Sequence, residues 1–178
     1  MNLRVLIFSL LAILISSCQD KTVFHQYEAT DIEGWDVTER VDFSIDTLTF
    51  GGNFQPTLHL RTTTGGEYPF QAIAIAVTQR WVLPALSAPA TPAKSATTTA
   101  PLATDSLLIE RTDTLQCRFT TNTGHRLEKG ISRSQFSYSL PQLHLPTGAV
   151  GTISITHLMR KETVPGISDV GFSLEVRD

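Results

Sequence analysis

The chain has 178 residues, of which 41% are hydrophobic and 17% charged, and its formal net charge is −3. These proportions are typical of a globular protein and exclude an intrinsically disordered chain. The modest negative charge provides no basic surface, so we expect no nucleic-acid partner. A chain of this length buries most of its apolar surface in one core, which favours a single folded domain.

The amino-terminal segment combines an export signal with a cysteine. Residues 5–15 form an apolar run interrupted only by Ser9 and preceded by Arg4. The run is too short to span a bilayer core of about 30 Å, and its layout is typical of a secretory signal peptide. It ends Ile15-Ser16-Ser17-Cys18, which looks like a bacterial lipobox, the motif whose cysteine is acylated at the cleavage site.

A lipidated Cys18 predicts a protein attached to a membrane, because two or more acyl chains anchor a protein stably. We therefore predict a signal peptide over residues 1–17, a lipidated tether over residues 18–22 and a folded domain over residues 23–178. An ordinary exported protein with a chance cysteine is the alternative.

Alternation of apolar and polar residues dominates the rest of the chain and predicts half-buried strands. Glycine and proline turn signals separate these stretches. Seven or eight short strands without helices favour an all-β fold, an antiparallel β-sandwich of jelly-roll or immunoglobulin-like type. The alternating stretches lie near residues 41–45, 58–60, 73–77, 115–119, 136–140, 153–155 and 170–176.

Residues 84–104 interrupt this rhythm with a sequence of almost only Pro, Ala, Ser and Thr. Such a composition cannot pack a core, and its prolines favour extended, solvated backbone. We predict a long disordered loop between a strand ending near Val82 and one beginning near Ser106. A boundary between two domains is the competing interpretation, but neither flank has enough strands for a sandwich of its own.

The last stretch predicts a strand whose two faces differ. Val170, Phe172, Leu174 and Val176 should point into the core, and Ser173 should lie on the opposite face. Phe172→Ala should therefore be costly, whereas Ser173→Ala should change the stability by no more than about 0.5 kcal/mol.

Several short motifs along the chain together resemble the GldH lipoproteins of bacterial gliding motility. The resemblance implies an envelope lipoprotein without known catalytic activity or cofactor, so we do not expect an enzyme. The motifs are Val23-Phe24 with Tyr27, Gly34-Trp35, Tyr68-Pro69-Phe70, Asp113-Thr114-Leu115, Gly130-Ile131 and the stretch from Met159 to Glu175.

The same resemblance implies partners among the envelope proteins of the gliding and secretion machinery. It also implies a lipid-anchored position in the cell envelope, which we expect to be the outer membrane facing the periplasm. The chain departs from the family pattern at His125–Lys129, where the family tends to have a tryptophan, and in the apparent insertion at residues 84–104. Both departures affect any partner surface on that side.

Two aromatic residues are candidates for a partner or ligand surface. Trp35 follows Gly34 and precedes Asp36 in a loop-like context, and Tyr68 follows the Gly65-Gly66 turn signal. An aromatic ring in a loop can stack on a sugar or anchor a protein partner, so a carbohydrate-binding lipoprotein is an alternative function. Packing of both rings against the end of the core is the structural alternative.

No residue pattern selects a metal site or a catalytic site. The five histidines are not at metal-ligand spacings, and with Cys18 acylated Cys117 has no disulfide partner and is expected to be a buried strand residue. An enzyme with a carboxylate pair that the sequence does not reveal is a further alternative.

The tripeptide Asp-(Ser/Thr)-Leu occurs three times and resembles a bacterial periplasmic O-glycosylation sequon. It is short enough to occur by chance, and Asp also favours turns and strand starts. The candidate acceptors are Thr47, Ser106 and Thr114.

Overall fold

The computed structural model describes residues 21–31, 33–63, 68–84, 107–121, 123, 125, 127 and 133–177. The predicted signal peptide, Cys18, Ser106 and nearly all of the predicted loop lie outside these residues. The predicted division of the chain at residues 17, 22, 84 and 104 therefore stays a prediction.

Eleven strands form the described part of the chain, and no helix that could cross a bilayer occurs in it. The strands are β1 Thr22–Ala29, β2 Trp35–Asp36, β3 Val41–Ile45, β4 Gly52–Thr63, β5 Ala72–Leu83, β6 Leu107–Arg118, β7 Arg133–Ser139, β8 Leu143–Leu145, β9 Val150–His157, β10 Thr163–Val164 and β11 Ile167–Arg177.

Two antiparallel sheets contain nine of these strands. The five-stranded sheet has the order β1-β11-β4-β7, with β8 also paired to β4, and the four-stranded sheet has the order β3-β9-β5-β6. β2 and β10 form a separate two-stranded ribbon. The all-β, antiparallel fold predicted from the alternation is confirmed, and β5 and β6 end and begin within one residue of the predicted positions.

The core lies between the two sheets and is rich in aromatic rings. Phe172 of β11 is fully buried and stacks on Phe43 of β3, with ring centroids 6.5 Å apart. Phe24 of β1 packs edge-on against Phe43 at 6.2 Å. Inward-facing residues of each sheet alternate with outward polar ones. The inward-facing aromatic rings of the two sheets therefore pack against one another in the core.

The pairing registers define two ends of the sandwich. At the first, which we call the tether end, Thr22 lies opposite Glu175, and Arg177 lies opposite Asn53. In the four-stranded sheet, Trp81 and Ile109 line a small cavity together with Leu143–Leu145 of β8. Val82, the residue after Trp81, lies opposite both Val150 and Leu108, so these two residues are at the same end. The opposite, far end contains Ala29, Thr63 and the Trp35 ribbon.

Candidate functional site

Polar and aromatic side chains from adjacent strands meet on the outer surface of the five-stranded sheet. Its members are His25 and Tyr27 of β1, Ser173 of β11, and His59 and Arg61 of β4, and we call this group the histidine–tyrosine cluster. Strand pairing brings them together, since Ser173 lies opposite both His25 and Thr57, and Gly171 lies opposite both Tyr27 and His59.

His59 is a buried member of the cluster, with only 7% of its surface exposed. Its Nδ1 lies 2.8 Å from the Ser137 hydroxyl, and its Nε2 lies 2.8 Å from the Ser173 hydroxyl. A neutral imidazole donates from one nitrogen and accepts at the other, and each serine hydroxyl can serve as the complementary partner. The neutral imidazole therefore has a hydrogen-bond partner at each of its two ring nitrogens.

The surroundings keep His59 neutral at ordinary pH. Burial, with smaller contributions from the nearby His25 and Arg61, lowers the pKa of His59 to about 4. The His25 ring is 5.1 Å from the His59 ring, centroid to centroid. A second charge beside Arg61 would be unfavourable, so His59 acts here as a hydrogen-bonding residue.

The Ser173 side chain does not behave as a solvent-facing residue. It lies on the face opposite the core, as the alternation predicts, but only 1% of the residue is exposed, because the His59 ring covers it. The prediction that Ser173→Ala would be almost neutral is therefore unsupported by this geometry. Alternation assigns the face correctly but does not show what neighbouring strands place on it.

Tyr27 and Arg61 form a stacked pair at the centre of the cluster. The guanidinium carbon of Arg61 lies 3.6 Å from the centre of the Tyr27 ring, which is a close cation–π contact. The Tyr27 ring also contacts His25 and His59, at centroid distances of 5.2 and 5.8 Å. Burial raises the pKa of Tyr27 above its ordinary value, and the Arg61 charge partly offsets this change.

An ion pair and a groove adjoin the cluster at the far end. Arg133 Nη1 lies 3.2 Å from Asp169 Oδ2, and the Ser168 hydroxyl donates to the same oxygen at 2.7 Å. Beside this pair is an open cavity of about 320 Å³, whose lining includes Ala29, Asp31 and Thr63. The cluster and the groove together present aromatic, cationic and hydrogen-bonding groups on one surface.

This arrangement is better suited to contact than to catalysis. The Ser137 hydroxyl is within hydrogen-bond distance of His59, which is the spacing of a nucleophile and its base. A base with a pKa near 4 accepts a proton poorly at neutral pH, however, and efficient general bases have a pKa close to the working pH. Among the described residues, no group of three His, Cys, Asp or Glu side chains could hold a metal ion.

Trp35 lies in the core and not on a surface. It is 0% exposed, and its Nε1 donates to the Glu39 carbonyl at 3.1 Å. The ring packs edge-on against His157, whose Nε2 lies 3.2 Å from the Trp35 carbonyl. Gly34, with φ of +127°, allows this approach, since a Cβ there would lie 2.8 Å from Thr163 Cγ2. An enclosed ring leaves no face on which a sugar could stack.

Tyr68 is also enclosed, with 4% of its surface exposed. Its hydroxyl donates to the Ala72 carbonyl at 3.0 Å, and its ring packs edge-on against Phe119 at 4.9 Å. Burial raises the pKa of Tyr68. Both aromatic candidates therefore support the far end of the core, and the structure does not bring them into the histidine–tyrosine cluster.

The remaining candidate residues are scattered. Thr47 lies in the loop before β4 and Thr114 lies on β6, and both are exposed. Cys18 and Ser106 are outside the described residues. Cys117 is fully buried and unpaired, and burial raises the pKa of its thiol to about 12, which fits the predicted strand residue.

A known protein family matches the carboxyl-terminal part of the chain. Residues 102–174, which include β6 to β9 and most of β11, match the model of a family described as GldH lipoprotein. This match supports the GldH-type assignment over these residues. The matched span includes Asp113-Thr114-Leu115 and Gly130-Ile131 and ends one residue before Glu175. A search of the curated proteins found no match.

The GldH-type assignment supports attachment to the cell envelope through a lipid anchor. Of the residues quoted for the family resemblance, Tyr27 and Ser173 belong to the histidine–tyrosine cluster. Sequence reasoning did not bring the cluster together because its members come from different strands and are separated by 32 to 148 residues, as in the pair His25 and Ser173. The only available signal was the presence of His59 in a strand pattern.

Proposed function

We propose that this GldH-type protein is a non-catalytic envelope lipoprotein that binds or stabilises other proteins of the gliding and secretion machinery. In this proposal the mature chain begins at a lipidated Cys18 and is held at the outer membrane facing the periplasm. The histidine–tyrosine cluster is the surface that contacts the partner. The observation that carries the proposal is the stacked Tyr27–Arg61 pair on the outer surface of the five-stranded sheet.

Tyrosine and arginine are the residue types that most often dominate protein–protein contacts, because they combine large apolar area with fixed polar groups. Here both side chains are already ordered before binding. Arg61 Nε donates to the Gln135 amide oxygen at 3.2 Å, and the Tyr27 ring lies against Gly171. Docking of a partner therefore costs little side-chain entropy at Tyr27 and Arg61, which favours affinity.

Affinity purification of the full-length chain from membranes tests this function. Arg61→Ala should reduce the recovery of envelope proteins of the gliding and secretion machinery by about tenfold or more, the size expected for a hot-spot residue. Arg80→Ala is the matched control, because Arg80 lies on the outer surface of the other sheet, where it pairs with Glu110 at 2.7 Å.

Equal recovery of these partners by the wild-type chain and by Arg61→Ala would show that the cluster is not the contact surface. Recovery of no such proteins by any of the three chains would refute the partner class itself. Melting temperatures of the variants separate a loss of contact from a loss of folding.

A further inference from the structure

Exposed apolar side chains are concentrated at the tether end of the sandwich. Of the large hydrophobic residues that are at least 40% exposed among the described residues, Val37, Leu127 and Leu158 lie at the far end. The others lie at the tether end, with exposed fractions from 40% to 61%. They are Phe50, Val82, Leu107, Leu108, Ile109 and Val150.

Three of these residues form a row on the outer surface of the four-stranded sheet. Val150 of β9 lies opposite Val82 of β5, and Val82 lies opposite Leu108 of β6. Trp81, the neighbour of Val82, points into the core and is 2% exposed, so the row faces outward. Opposed residues of paired strands share a face, which makes the row a continuous apolar strip across three strands.

The chain enters the fold at this same end. The carbonyl of Lys21 accepts a hydrogen bond from the Val176 amide at 2.8 Å, and β1 begins at the next residue. Cys18 is three residues before Lys21. Three residues span at most about 11 Å when fully extended. A lipid on Cys18 therefore keeps the tether end within about that distance of the bilayer surface.

We propose that the tether end docks onto the lipid surface, with Val82, Leu108 and Val150 in contact with the boundary between headgroups and acyl chains. The proposal rests on the proposed lipid anchor at Cys18. Soluble proteins seldom expose apolar strips without a partner, and amphiphilic surfaces of anchored proteins are buried shallowly in this boundary. The histidine–tyrosine cluster would then face away from the membrane, toward the periplasm.

The charges at this end favour an apolar contact over an electrostatic one. Lys21 and Arg177 are accompanied by Asp46 and Glu175, so the end has no excess of one sign. Attraction to anionic lipids needs a cluster of basic residues. Docking should therefore depend little on salt.

A fluorescent probe at two matched positions tests the orientation. The full-length lipidated chain is placed in vesicles of phosphatidylethanolamine and phosphatidylglycerol, and Leu108→Cys or Leu158→Cys is labelled with a nitrobenzoxadiazole dye. Leu108 and Leu158 are 56% and 50% exposed, at opposite ends of the sandwich. The unsubstituted lipidated chain gives the background labelling of the buried Cys117, since the Cys18 sulfur carries the lipid.

Quenching by a lipid carrying a spin label should be several-fold stronger at position 108 than at position 158, and it should change little between low and high salt. Equal quenching at the two positions, or none at position 108, overturns the proposal. A blue-shifted probe at position 108 that the lipid quencher does not reach, together with a dimeric mass, identifies a second copy of the chain as the occupant and also overturns it.

Flotation of the unsubstituted chain with the vesicles tests the anchor separately. A chain that floats but shows equal quenching at both positions retains its anchor and loses only the proposed orientation. A chain that does not float refutes the anchor, and the docking that depends on it fails with it.

Discussion

The Tyr27 ring lies against Gly171, at a place where a Cβ would come within 2.5 Å of the ring carbon Cδ1. Glycine is needed there for space, because any side chain would displace the ring on which Arg61 stacks. The cation–π pair on the outer surface of the sheet thus depends on a residue in the middle of β11.

Gly171→Ala should destabilise the fold by about 1–3 kcal/mol through overpacking, as measured by chemical denaturation. Gly52→Ala is the control, since a Cβ at residue 52 would meet nothing within 4 Å. Combining Gly171→Ala with Tyr27→Ala should cost less than the sum of the two single changes, because the clash is gone. A fully additive double variant would mean that the ring is not the obstacle.

Phe172→Ala should lower the free energy of unfolding by about 3–5 kcal/mol, because the side chain is fully buried between Phe24 and Phe43 and its removal leaves a cavity. Phe50→Ala should cost less than half as much, since Phe50 is 44% exposed. Thermal and urea unfolding of both variants measure this difference. Equal costs would contradict the position of Phe172 at the centre of the core.

Ser173→Ala should destabilise by about 1–3 kcal/mol, because it leaves a nitrogen of the buried His59 without its partner. Ser154→Ala is a suitable comparison, since the Ser154 hydroxyl donates to Asp42 on an exposed surface. A Ser173→Ala variant as stable as the wild-type chain would show that His59 finds another partner.

Stability should depend on pH through His59. Its pKa in the folded chain is about 4, below the ordinary value of 6.5, so the unfolded chain binds the additional proton between these values. The free energy of unfolding should therefore fall as the pH is lowered from about 6.5 to about 4, by up to about 3 kcal/mol from this residue. His59→Gln should remove this part of the slope, whereas His144→Gln, at a surface site bonded to Asn53, should retain it.

The lipobox predicts that Cys18→Ser releases the protein from the membrane or leaves its signal peptide uncleaved. Fractionation and the mass of the mature chain measure both effects. A Cys18→Ser chain that is cleaved normally and stays with the membranes would contradict the anchor.

The alternation in the sequence predicted the strands of the core, and it did so best where one face is buried. β3 and β9 alternate strictly, with Val41, Phe43, Ile153 and Ile155 buried. It missed β1, an edge strand whose residues are all partly or fully exposed. It could not locate the candidate site, because the contacts of His59 with Ser137 and Ser173 depend on register between strands that are distant in the chain.

Trp35 illustrates a second limit of the sequence. A glycine beside a tryptophan and an aspartate is typical of a loop, yet the residue belongs to a two-residue strand whose pairing with β10 encloses the ring. The backbone hydrogen bonds that define this ribbon come from residues 163 and 164, which the local pattern around residue 35 does not reveal.

The three Asp-(Ser/Thr)-Leu tripeptides predict glycosylation of Thr47, Ser106 and Thr114 in the native host. Substitution of each acceptor by alanine should reduce the intact mass by one glycan. Thr112→Ala is the control, because Thr112 is an exposed threonine on the same strand as Thr114 but follows Arg111 instead of an aspartate. Masses that change only by the substituted side chain in all three variants would show that the tripeptides are chance occurrences.

The pairing of β1 with β11 determines how the domain would respond to mechanical force. β1 begins beside the tether and runs toward the far end, with Thr22 opposite Glu175 and Ala29 opposite Asp169. A pull between the membrane and a partner held near Arg61 would act along the strand axis. The hydrogen bonds between β1 and β11 lie across that axis, so the load would be shared by all of them at once instead of opening them one after another. A pull on the tether directed across the sheet would instead break the hydrogen bonds between β1 and β11 one after another, starting from one end of the edge strand. The mechanical strength of the domain therefore depends on the direction of the force.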